Sequence, residues 1–131
     1  MSRFCLDTSA YSHFKRGDAA AVEAISRARW LGVPVVVLGE LRTGFLLGAR
    51  PERKEADLAR FLANPVVEVL AVDEEAAQIY AEIVVAQRRA GKPAPTNDLW
   101  IAALAARAGA PVLTFDAHFE AISRISARVL G

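Results

Sequence analysis

The chain has 131 residues, 53% hydrophobic and 24% charged, with 16 Lys and Arg against 15 Asp and Glu for a formal net charge of +1. That length suits one compact domain over residues 1–131, and the composition excludes a disordered chain. The near-neutral balance excludes nucleic-acid binding through global charge, so any such contact has to come from a local patch.

In chain order, a first strand is predicted at 3–6, closing on Asp7 and the hydroxyls Thr8 and Ser9 in "CLDTSAYS". Cys5, the single cysteine, has no partner for an internal disulfide and reads as a small buried hydrophobe. The opening "MSRFCLD" offers no apolar stretch leading to a cleavage site, so the expectation is a cytoplasmic protein. Asp18 is placed to cap a helix through Arg29, and "VPVVVL" at 33–38 reads as a second strand. Pro51 suits the first turn of a helix ending at Ala63. A third strand is expected at 66–72, followed by a long helix capped by Asp73 that ends before Gly91. Gly91 and Gly109 have the character of left-handed helix ends. The proline-bearing loop "GKPAPT" at 91–96 delivers the chain to a helix, "NDLWIAALAARAG", and strands at 111–115 and 127–130 complete the map. No apolar run approaches the roughly 20 residues of a membrane span. Short apolar runs alternating with helical patterns imply an α/β fold: a central, mostly parallel sheet of four or five strands flanked by helices.

On this map four acids share one edge. Asp7 follows the first strand, Glu40 follows the second by one glycine, Asp116 follows "PVLTF", and Asp98 opens the helix running back from the same edge. The carboxyl ends of parallel strands are where such sheets bind ligands. Each acid taken alone can be explained as a helix cap. Glu40 fits that explanation least, because "GELRTG" has a glycine at the expected cap position and the acid inside the first turn.

Carboxylates gathered without a counter-charge repel and take up protons, a conflict that a cation removes. All-oxygen ligands favour hard ions such as Mg²⁺ or Mn²⁺, and no Cys and His cluster argues for zinc. Metal-bound water with charge neutralisation on a phosphoryl oxygen is the apparatus of phosphodiester hydrolysis. Thr8, Ser9, Thr114 and Asn97 stand beside the acids as neutral groups able to orient them. Two other acid-bearing parallel folds fail on named positions. A haloacid-dehalogenase-type phosphatase needs a second Asp where Ser9 stands. A phospho-accepting receiver could use Asp73, but it needs an acidic pair at the first strand and a lysine at the last.

"FCLDTSAYS", "GELRTG", "NDLWIAALA" and "VLTFDAHFEAI", in that order and spacing, resemble PIN-domain ribonucleases, and most of all the VapC-type toxins of type II toxin–antitoxin pairs. The resemblance covers nearly the whole chain. It implies a PIN-like three-layer sandwich, commonly a homodimer, with Mg²⁺ or Mn²⁺ held by Asp7, Glu40, Asp98 and Asp116, and Thr114 close by. It further implies a metal-dependent endoribonuclease acting on RNA such as tRNA or rRNA and a cognate antitoxin protein as partner. A non-catalytic module with the acids as caps, or a general PIN nuclease without an antitoxin, stays open as an alternative.

Several residues carry a bland and a sharp reading. His118 and His13 read as packing residues rather than ligands. Trp100 and Ile101 are expected to pack their helix on the sheet, and Trp30 suits either core or interface. Arg50, Arg53 and Lys54, with Arg88, Arg89 and Lys92, form two basic clusters that are either solvated faces or phosphate contacts. Phe45, Leu46 and Leu47 span about 200° of helix surface, as do Ile83, Val84 and Val85, more than one core-facing stripe can bury. That surplus implies protein interfaces: a homodimer, and a groove near Glu40 for an apolar antitoxin segment.

Overall fold

The computed structural model describes residues 2–131. The chain runs β1 (Arg3–Leu6), α1 (Thr8–Lys15), α2 (Ala19–Ser26), β2 (Trp30–Pro34), α3 (Val35–Leu47), α4 (Pro51–Leu62) and β3 (Val67–Leu70). It continues through α5 (Glu74–Arg89), α6 (Thr96–Ala108), β4 (Val112–Thr114), a 3-10 turn (Ala117–Ala121) and β5 (Ala127–Val129). All five strands are parallel, in the order β3-β2-β1-β4-β5. The chain thus builds outward from β1 to β3, then returns to place β4 on the other side of β1. The carboxyl ends of β1 and β4 face each other at this reversal, where a parallel sheet leaves a crevice.

Parallel strands need helices over both faces, and the sequence supplies them with small residues where the approach is closest. In α6, Ile101, Ala102, Ala103, Leu104 and Ala105 are all buried, so this helix is enclosed rather than amphipathic. Its alanines let α5 pack beside it while β1 and β2 pack beneath. Leu6, Leu31, Ile83, Leu104, Leu113 and Phe119 are among the largest fully enclosed side chains. One polar side chain, Gln87 of α5, is buried with its needs met: its amide donates to the Lys92 and Ala121 carbonyls and its oxygen accepts the Ser123 N–H. That three-way tie fixes the loop before α6 against the 3-10 turn, two segments that flank the acids.

The second strand lies at Trp30–Pro34 rather than 33–38, and Val35–Leu38 form the first turn of α3. Pro34 has no N–H for a ladder, and its fixed φ serves a helix start. Val37, Leu38 and Leu41 are buried at helical spacing, so an apolar β-branched run satisfies a helix as well as a strand. Glu40 therefore stands in the second turn of α3, not beside a Gly39 cap. The helix from Asp18 ends at Ser26, short of Arg29. Gly91 and Gly109 both have φ +67° at helix ends. Trp100 turns from the sheet to stack on Tyr80 of α5, with ring centroids 3.7 Å apart, leaving Ile101 to fill the core. Among the described residues no helix is long and apolar enough to cross a membrane.

Trp30 explains a glycine in β2. Its indole sits under the Arg3 guanidinium at 4.5 Å and donates to Glu68 Oε1 at 3.1 Å. A Cβ on Gly32 would come within 2.4 Å of that ring and 2.8 Å of Leu70 Cδ1. Gly32→Ala is expected to lower stability by about 1–3 kcal/mol through this overpacking, read as a lower urea midpoint with an unchanged slope.

Candidate active site

Asp7 leaves β1 as the N-cap of α1, its Oδ1 accepting the Ala10 N–H at 2.9 Å. The Thr114 hydroxyl, fully buried at the end of β4, donates to Oδ2 at 2.5 Å, and Ser9 Oγ lies 2.8 and 3.0 Å from the two oxygens. Thr114 Oγ1 in turn accepts the Asp116 N–H at 2.9 Å, and Ser9 Oγ accepts the Phe115 N–H at 3.0 Å. A run of hydroxyls therefore joins the exits of β1 and β4. Thr8 points the other way and donates to Glu40 Oε1 at 2.7 Å, tying α1 to α3. Asn97 is exposed and makes no hydrogen bond to the acids, so three of the four expected neutral neighbours touch them.

His118, passed over as a packing residue, lies between two of the acids. Its Nε2 is 2.6 Å from Asp98 Oδ2 and its Nδ1 2.5 Å from Asp116 Oδ1. Both carboxylates accept, so the ring satisfies both only as the doubly protonated imidazolium. Burial works to lower its pKa, but the hydrogen bonds and charges of Asp98 and Asp116 prevail and hold it above the ordinary histidine value. The available signal was an Asp-x-His step in the turn directly after a strand.

The electrostatics place Asp98 within reach of each of the other three acids. Burial raises the Asp7 carboxyl above its usual range against the bonds from Thr114, Ala10 and Ser9, and the charge of Asp98 adds to the rise. Burial likewise raises Asp98 against the pull of His118, reinforced by the charges of Glu40 and Asp116. The capping explanation divides the set. Asp7 and Asp116 do cap, the latter accepting the His118 N–H at 3.1 Å. Asp98 does not, since Pro95 starts α6 without a side-chain cap, and Glu40 is a turn into α3. Two carboxylates thus stand at the crevice with no capping duty.

Asp7, Glu40, Asp98 and Asp116 are the residues able to hold a cation here, and their all-oxygen chemistry fits a hard divalent ion. Among the described residues no three His, Cys, Asp or Glu side chains already converge as a ligand set, and Asp98 and Asp116 both spend oxygens on His118. Beside Glu40 opens a groove of about 560 Å³, lined by Tyr11, Leu41 and Phe45 and by Lys15, Arg16 and Lys54. At its rim Leu46 and Leu47 are 78% and 84% exposed, so no helix of the chain covers them. In α5, Ile83 is buried, Val84 packs on the core and Val85 is exposed. Arg50 and Arg53, like Arg88, Arg89 and Lys92, are solvent-exposed.

Four carboxylates at the reversal point of a parallel sheet, steadied by hydroxyls and one histidine, define an α/β protein with an acid-lined ligand crevice. The chain belongs to the PIN domain family, whose model matches residues 4–125. It is 36% identical over 117 residues to Ribonuclease VapC5 of Mycobacterium tuberculosis (strain ATCC 25618 / H37Rv), covering 89% of this chain and 85% of that protein. Against Ribonuclease VapC4 of the same organism it is 38% identical over 91 residues, 70% of each chain. Among solved structures, DNA-bound VapBC from Salmonella typhimurium superimposes with a TM-score of 0.86 at 28% identity, covering 98% of both chains. VapBC-5 from Mycobacterium tuberculosis, described as a member of the VapBC family of toxin–antitoxin systems, gives 0.77 at 29% identity, covering 99% of this chain and 100% of that one.

The raised Asp7 pKa fixes the sign of a stability test. With its folded pKa above the unfolded value near 3.8, the folded state prefers the protonated acid. The contribution of Asp7 to stability is therefore greatest at low pH and is lost as pH rises through its folded pKa. Asp7→Asn, which stays neutral, is expected to melt at or above the temperature of the unsubstituted protein near neutral pH. The gap should close on acidification toward the ordinary carboxylate range, as followed by thermal melts across pH.

Proposed function

We propose that this protein is an endoribonuclease that hydrolyses RNA phosphodiester bonds with Mg²⁺ or Mn²⁺, acting in the cytoplasm as the toxin of a toxin–antitoxin pair. One observation carries the reading: Glu40 and Asp98, which cap nothing, stand with the buried Asp7 and the exposed Asp116 at the sheet's reversal point in a chain related to VapC ribonucleases. Asp7, Asp98, Glu40 and Asp116 hold the ion. When bound, such an ion lowers the pKa of a water and neutralises charge on the phosphoryl and leaving oxygens. The protein's own part is orientation. Ser9 and Thr114 lock Asp7 in one rotamer, Thr8 aims Glu40, and His118 engages one oxygen each of Asp98 and Asp116, leaving the other oxygen of each available to a ligand. The substrate is structured RNA of the tRNA or rRNA kind.

Asp98→Asn is expected to cut RNA cleavage by more than about 100-fold, beyond what loss of a residue that only orients a ligand causes, with an unchanged circular dichroism spectrum. EDTA should do the same to the unsubstituted protein, and added Mn²⁺ should restore it. Cleavage by Asp98→Asn at the unsubstituted rate would remove Asp98 from the site and the metal reading with it.

The partner reading follows from the groove beside Glu40. Tyr11, Leu41 and Phe45 give it an apolar wall that opens toward the acids, and Leu46 and Leu47 extend apolar surface past its rim. An antitoxin segment with an apolar face fits that wall and can bring a basic side chain to the carboxylates, which silences the enzyme. Val85 and its neighbours on α5 contribute to a homodimer. Phe45→Glu is expected to weaken co-purification of the antitoxin encoded beside this chain by at least about tenfold, with RNA cleavage retained, because it replaces an apolar ring of the wall by a charge that an apolar segment would desolvate. Unchanged co-purification would place the antitoxin elsewhere.

A further inference from the structure

Two aromatic rings beside the acids take no part in the core. Of the six phenylalanines, Phe4 and Phe119 lie in the core and Phe14, Phe45 and Phe61 pack against it. Phe115 does neither. Its ring lies 3.8 Å from the imidazole of His13, with the planes 11° apart, and both residues are partly exposed. Phe115 stands between Thr114, which holds Asp7, and Asp116, and its N–H donates to the Ser9 hydroxyl that also serves Asp7. His13 is one turn along α1, with Nδ1 2.9 Å from the Ser9 carbonyl oxygen. Arg16 Nη2 is 3.3 Å from the same nitrogen, which cannot donate to one group and accept from the other. The shorter contact is the hydrogen bond, made by the ring N–H, so the imidazole plane is fixed and the Arg16 guanidinium is a cation alongside the stack.

Parallel, partly exposed rings outside the core present π surface to a third flat ring, and every nucleobase has such a face. Consecutive Cα atoms are about 3.8 Å apart, so Phe115 lies within one nucleotide's reach of the acid cluster. Resting on the ribonuclease reading above, we propose that the His13–Phe115 pair stacks the base of the nucleotide next to the scissile phosphate, in single-stranded or loop RNA, with Arg16 beside that nucleotide's phosphate. The acids do not depend on these rings, because Ser9 and Thr114 reach Asp7 without them.

The test uses the full chain in EDTA and short oligoribonucleotides carrying the fluorescent base analogue aminopurine at successive positions. Binding is expected to quench one position most. His13→Ala and Phe115→Leu, each of which removes a π face, should lose most of that quench and bind about tenfold more weakly. His13→Phe should retain both. With Mg²⁺ present, His13→Ala should raise KM and leave kcat nearly unchanged, whereas a mere tether between α1 and the β4 exit would lower kcat and the melting temperature together. Variants that quench and bind like the unsubstituted chain, or cleavage with no quench at any position, would overturn the stacking while leaving the nuclease intact. RNA that binds and quenches but is never cut in Mg²⁺ or Mn²⁺ would overturn the nuclease and leave the stacking standing.

Discussion

The acid edge of this molecule hangs on one carboxylate, that of Asp7, which is 5% exposed where β1 ends. A carboxylate so far out of water needs donors or a counter-charge, because desolvation penalises its charged form. Each donor it has found ties down a different element: the Ala10 N–H starts α1, the Thr114 hydroxyl comes from β4, and Ser9 reaches the Phe115 N–H in the next loop. Satisfying Asp7 therefore sets the exits of two neighbouring strands. Two further acids are positioned relative to that junction, Asp116 by donating its N–H to the Thr114 hydroxyl and Glu40 by accepting from Thr8, the residue directly after Asp7.

The topology makes this convergence possible. Because β1 is central and the chain leaves it in one direction before returning on the other side, residues more than a hundred positions apart meet at a single crevice. The alanine-rich α6 adds Asp98 by lying close against β1 and β2, and Gln87 holds the loop that leads into it. Bulk would defeat this arrangement. A wider α6 would lift Asp98 away from the edge, which gives the run of small buried residues a functional as well as a packing consequence.

Much of this was legible from sequence because several levels agreed. Asp73 and Asp18 cap the helices expected of them, Gly91 and Gly109 take the left-handed conformation, and the exits of β1 and β4 carry Asp7 and Asp116. The failures have physical causes. "VPVVVL" is apolar throughout, and such a run cannot be divided between a strand and the first turn of a buried helix by periodicity alone; only the pairing of Arg3 with Trp30 across β1 and β2 settles it. His118 reads from sequence as a packing residue, yet its partners are carboxylates, which the Asp-x-His step in the turn already contained. Phe115 was invisible for a simpler reason. Whether an aromatic residue next to a strand joins the core depends on which face its ring takes, and one residue of register decides that.

His118 also shows how clustered carboxylates are kept in order by the chain itself. Asp98 faces the charges of Glu40 and Asp116, and a fold that left it bare would lose stability at the place it most needs order. An imidazolium reaching Asp98 through one nitrogen and Asp116 through the other supplies positive charge between them. Unlike a lysine, it is planar, has two donors in fixed opposite directions, and can lose its charge near neutral pH. Its side chain is 39% exposed, so solvent screens the interaction and keeps it weak enough to break. A stronger internal cation, such as an enclosed arginine, would hold the acids more firmly and compete with any incoming ion. Partial exposure and a titratable charge thus reconcile two properties of one cluster: its carboxylates are ordered, and the interaction that orders them is weak enough to yield.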